Sequence, residues 1–105
     1  MFGQIQEIGA TGSGVDGNTR AKLLSLQRME ATEAEVYRRL AKMQPDPVNQ
    51  SILNGIALEE ERHEAVIAKM TGEQVKADAS KVRRQVILAK LFGFTFSVKM
   101  MEATE

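Results

Sequence analysis

Two stretches of this chain carry apolar residues at alternating steps of three and four, and both rows are interrupted at mid-length by ionisable side chains. The first row reads Leu23, Leu26, Glu30, Glu33, Tyr37, Leu40, and the second Leu53, Ile56, Glu60, His63, Ile67, Met70. Such a stripe marks the core-facing side of an amphipathic helix. The first helix is predicted from near Thr19, capped by Asp16 or Asn18, to about Met43, where Pro45-Asp46-Pro47 stops it. Asp46 as N-cap with Pro47 at the first helical position starts the second helix, which runs to Met70 and closes at Thr71-Gly72. A third helix is expected from near Ser80 toward the C-terminus, kinked at Gly93, with Leu88, Leu91, Thr95, Val98, Glu102 and Glu105 turned inward. No segment alternates with the period of a strand. The expected fold class is therefore all-α, an antiparallel helical hairpin plus a third helix. Residues 1–17 hold five of the eight glycines and no sustained period, and read as a flexible arm ahead of a helical domain over 18–105.

The register of the hairpin decides whether the interrupting acids meet. Glu30 lies sixteen residues before Asp46 and Glu60 fourteen after it. At about 1.5 Å per residue both stand roughly 21–24 Å from the turn. A short connection forces the helices antiparallel, so Glu30, Glu33, Glu60 and His63 fall at one height on facing seams. Burying charge without compensation costs several kcal/mol, so a cation is expected among them.

Composition narrows the partners. Lys plus Arg equals Asp plus Glu at 14 each, with no basic patch interleaved with aromatics, so nucleic acid is not expected. Cysteine is absent, which removes disulfides, zinc-thiolate sites and cysteine nucleophiles, and fits a cytoplasmic location. The longest apolar run, Val86–Val98, is thirteen residues and contains Lys90 and Gly93, too short and interrupted to span a bilayer. No secretory signal is expected at the N-terminus.

Carboxylate oxygens with an imidazole nitrogen suit iron or manganese, and zinc less exclusively. In ferritin-like di-metal bundles two helices each give a Glu and two others each give a Glu-x-x-His pair. This chain has one helix of each kind, so a homodimer supplies the full ligand set. The i, i+3 spacing turns Glu60 and His63 to one side, allowing Glu60 to bridge two metals while His63 holds one. Tyr37, on the same seam as Glu30, is placed to hydrogen-bond a ligand carboxylate. The segment Met29-Glu30-Ala31-Thr32-Glu33 recurs seventy-two residues later as Met101-Glu102-Ala103-Thr104-Glu105. That echo reads as the start of a second hairpin repeat whose remainder lies beyond this chain.

The segments Gln27-Arg28-Met29-Glu30-Ala31-Thr32-Glu33, Tyr37-Arg38-Arg39-Leu40-Ala41 and Glu60-Glu61-Arg62-His63 resemble the rubrerythrin-like branch of the ferritin-like superfamily. The likeness is to rubrerythrin-type domains found alone or fused to vacuolar-iron-transporter-like membrane domains, and it extends over residues 20–105. It implies a ferritin-like four-helix bundle, completed by dimerisation or by further sequence, around a carboxylate-bridged di-iron centre that oxidises Fe(II) with O2 or H2O2. By this resemblance Glu30, Glu60 and His63 are the residues of the reaction, and Glu102 with Glu105 match the Glu-x-x-Glu of the third element. Departures from the family are the lack of a fourth helix with its own Glu-x-x-His and the lack of a rubredoxin-type cysteine site. Two other readings stand beside this one. One is an iron relay or sensing module serving a membrane transporter domain, and the other is a metal-free helical dimerisation domain.

Overall fold

The structure, a computed structural model, describes residues 16–93, 99 and 101–103. Helix α1 spans Gly17–Met43, α2 Pro47–Thr71 and α3 Ala79–Phe92. Each begins at an aspartate whose carboxylate accepts from a backbone N–H of the first turn. Thr19 N donates to Asp16 at 2.7 Å, Val48 N to Asp46 at 2.9 Å and Lys81 N to Asp78 at 3.2 Å, covering donors that a helix start otherwise leaves open. Helix α1 stops because Gln44 precedes a proline, which disfavours the helical region for the residue before it, and Gln44 is extended at φ −85° and ψ 125°. Helix α2 stops at Gly72, in the left-handed region at φ 71° and ψ 14°, where its N–H reaches the Ala68 carbonyl at 2.7 Å.

The three-residue connection turns α2 back along α1. Arg20 meets Thr71, Gln27 meets Glu64, Glu30 meets His63 and Arg38 meets Asn54. Position on one helix falls as position on the other rises, so the pair is antiparallel. A helix of 27 residues is about 40 Å long at 1.5 Å per residue, and the molecule measures 46 × 24 × 21 Å. The core joins Val36, Tyr37, Leu40 and Ala41 of α1 to Leu53 and Ala57 of α2 and to Val82 and Ala89 of α3, with Met101 added from the C-terminal segment.

Residues 72–78 form a non-helical connection tied to α1 at both ends. Gln27, fully buried, donates from Nε2 to the Glu73 carbonyl at 2.7 Å and to the Glu64 carboxylate at 2.8 Å, and accepts at Oε1 from the Thr71 hydroxyl at 2.7 Å. Arg20 pairs with Glu73 and donates to the Thr71 carbonyl. At the other end Asp78 N donates to the Thr32 hydroxyl at 2.9 Å, and that hydroxyl donates back to the Arg28 carbonyl.

This anchoring sets the rotation of α3, and here the structure departs from the periodic reading. Val82, Gln85 and Ala89 face inward, while Leu91 is 69% exposed and Leu88 only half-buried. Asp78 is fixed on Thr32 and Ala77 packs on the core, so the first turn of α3 presents Val82 to α1. Leu88 is then left at the margin of the packed side and Leu91 in solvent. Gly93, at φ 95° and ψ 160°, ends the helix instead of kinking it, a backbone region open essentially to glycine alone. Residues 1–15 of the expected arm, with Thr95, Val98 and Glu105 of the expected inward row, lie outside the described residues.

Candidate metal centre

Glu30 comes from the middle of α1, and Glu60 and His63 from the middle of α2. One donor atom from each lies within 4.8 Å of the others. His63 Nδ1 stands 3.5 Å from Glu30 Oε2 and 3.7 Å from Glu60 Oε1. Two donors at about 2.1 Å from a shared transition metal and at a tetrahedral angle stand about 3.4 Å apart. The donor set and its spacing therefore fit a first-row divalent ion.

The two acids form the floor of this site and the histidine its rim. Side-chain exposure is 13% for Glu30, 15% for Glu60 and 59% for His63. The difference follows from helix geometry. At about 100° per residue, a step of three falls about 60° short of a full turn. Glu60 thus faces α1 while His63 sits at the edge of the seam, open to solvent.

Glu33 lies one turn along α1 from Glu30 and is buried. Burial pushes the Glu60 carboxyl up, but hydrogen bonds with Glu30 and Glu33 and the charge of His63 outweigh it, and the group lies below its ordinary value. The lowered Glu60 carboxyl favours the charged form that a divalent cation needs as a ligand.

Two neighbouring acids, Glu61 and Glu64, are committed elsewhere. Glu61 receives two hydrogen bonds from Arg38, at 2.6 and 3.0 Å. This pairing holds Glu61 below the usual carboxylate range and raises Arg38. Glu64 accepts from Gln27. Tyr37 is buried in the core cluster, one turn beyond Glu33. Of the C-terminal pair, Glu102 is exposed and outside the Glu30, Glu60 and His63 group, although its neighbour Met101 is buried. Glu105 lies outside the described residues.

Gln27 and Arg38, which brace this site from either side, do not stand out in the apolar pattern. The signal for them is complementarity of height. Arg38 on α1 stands opposite Glu61, and Gln27 opposite Glu64.

No protein-family model, curated protein or solved structure matches this chain. Among the described residues no helix is long and apolar enough to cross a membrane. The class these observations define is an all-helical protein with an acidic, histidine-bearing triad suited to a metal ion.

Proposed function

We propose that this protein is a carboxylate-type metalloprotein of the rubrerythrin-like, ferritin-like kind, in which two copies build a di-iron or di-manganese centre and oxidise Fe(II). The observation that carries the reading is the convergence of Glu30, Glu60 and His63 from two facing helices, with donors within 4.8 Å. One copy supplies part of a ferritin-like ligand set, and a second copy related by a two-fold axis supplies the rest. Val48, Ile52 and Val66 support that pairing. They are exposed apolar residues that follow the same side of α2 as His63, so a partner covering them also closes the open rim of the site.

In this reading Glu30, Glu60 and His63 hold the metal, Glu33 hydrogen-bonds Glu60 from one turn along α1, and Tyr37 backs the acidic floor from the core. A resident metal pair supplies redox chemistry and an oxidant-binding position. Fe(II) is the substrate. Two Fe(II) ions each lose one electron, and hydrogen peroxide takes both electrons with two protons to give two waters. The two protons come from solvent.

The exposure of His63 favours a second reading, that of an iron relay. A site open on one side loads and unloads an ion without rearrangement of the helices. The two readings part on oxidant consumption, since a relay takes up and releases Fe(II) without using O2 or H2O2.

Anaerobic titration with Fe(II) and Mn(II), followed by stopped-flow oxidation, tests the proposal. About one ion per chain is expected. Glu30→Gln and His63→Ala should each weaken binding by more than the roughly ten- to hundredfold that loss of an outer-sphere partner costs, and should abolish oxidation. A His63→Ala protein with full stoichiometry and rate would falsify the metal assignment.

A further inference from the structure

Helix α2 has a side that its own fold leaves bare. Leu53, Ala57 and Ile67 are buried on its inner side. On the other side Val48, Ile52, Gly55, Glu59, Arg62 and Val66 follow one line at alternating steps of four and three, and all six are exposed. His63 flanks this line, so the open rim of the triad lies beside it.

Gly55 is the odd member. A glycine inside a helix weakens it, because its backbone has more freedom to lose, and a Cβ added at Gly55 meets nothing within 4 Å. One copy of the fold thus gives no steric reason for so small a residue at mid-helix. Close approach of another chain gives one. Glu59 and Arg62, next on the same line, take part in none of the ion pairs among the described residues. Opposite charges three apart on one line satisfy each other when two copies of that line meet antiparallel.

We propose that a second copy docks along this line, α2 against α2 about a two-fold axis at the level of Glu60 and Glu61, so that Glu59 meets the partner's Arg62 and Gly55 receives the partner's Val66. In such a pair a step toward the C-terminus on one helix faces an equal step toward the N-terminus on the other. Setting Glu59 opposite Arg62 therefore sets Gly55 opposite Val66, four residues further out on each side, and the side chain of valine fills the place a Cβ would take. Sliding the pair by three residues, so that Ile52 faces Val66, puts Glu59 against its own copy. The same patch serves both partners, as a two-fold contact requires. What the contact accomplishes rests on the proposed function. The axis stands at the height of Glu60 and His63 and keeps both His63 side chains on one side of the contact, so two triads, each only part of a ligand set, open toward each other.

Sedimentation velocity of the full chain in the presence of a chelator tests the inference, because none of the residues that make the contact belongs to the triad. The parent should be a dimer. Gly55→Leu adds an apolar side chain where its own fold leaves room, so helical content by circular dichroism should match the parent, while the overfilled contact weakens the dimer by about tenfold or more. Glu59→Arg and Arg62→Glu each set like charges across both halves of the contact and should be monomeric alone. Mixed in equal amounts they should form a heterodimer, in which every facing pair is again of opposite sign.

A chelated parent that sediments as a monomer overturns the proposal, as does a Gly55→Leu dimer as tight as the parent. Charge variants that dimerise alone, or that stay monomeric when mixed, overturn the register. Metal uptake is read separately. A dimer with this behaviour that takes up no Mn(II) removes the proposed function and leaves the contact standing, whereas a chain that binds Mn(II) and fails these tests does the reverse.

Discussion

Gln27 shows how much one side chain can organise here. It is fully buried, and its amide spends two donors and an acceptor on Glu64, Glu73 and Thr71, joining the end of α2 and the following segment to α1. Gln27→Leu keeps the volume but removes the donor to the Glu73 carbonyl and leaves the Thr71 hydroxyl to its longer contacts with the Ala68 carbonyl and Glu73 N. A destabilisation of about 1–3 kcal/mol is expected, read as a lower urea midpoint at unchanged slope. Little of this was legible beforehand, because a glutamine near an apolar row looks like a polar residue at its margin. Glu60 is the opposite case. Its neighbours Glu59, Glu61 and Glu64 are the same residue type, and only the three-four spacing singles it out as the acid that meets Glu30. His63 lies between the two. The spacing places it beside Glu60, but its 59% exposure depends on where α1 ends laterally, which no single-helix pattern contains.

At the scale of elements, boundaries follow from local chemistry. Asp46 with Pro47 starts α2, Gln44 before Pro45 stops α1, and Gly72 closes α2 in a conformation that other residues adopt at a cost. A Cβ added at Gly72 meets nothing within 4 Å, so Gly72→Ala tests backbone strain alone. About 1–2 kcal/mol should be lost, seen as a lower melting temperature, and Gly72→Asn should recover part of it because asparagine tolerates the left-handed region. The orientation of α3 was not legible in the same way. Its leucines suggest an inward row, yet the anchor of Asp78 on Thr32 turns Val82 and Ala89 to the core and leaves Leu91 outside. In a short helix with apolar residues on more than one side, the tether decides which side is buried.

At the scale of the whole molecule, the core is thin and the metal site is one-sided, so stability should respond to both metal and association. Under the proposed function, Mn(II) at about a hundredfold excess over its dissociation constant should add about 2.7 kcal/mol. That gain appears as a rise in melting temperature, reversed by a chelator and absent in Glu30→Gln. Native mass should show a dimer whose dissociation follows loss of apolar contact at Ile52 and Val66. The residues alone determined three things about this protein. They are the all-helical class, the stops and starts at Pro45-Asp46-Pro47 and Gly72, and the common height of Glu30 and Glu60, because capping, proline geometry and helix rise are local or additive along the chain. Only the tertiary structure decided which side of α3 is buried, that His63 stands at an open rim while Glu33 lies inside, and that Gln27 and Arg38 take up Glu64 and Glu61. Those outcomes depend on how rigid helices rotate against one another, and that rotation is settled by contacts between residues far apart in the chain.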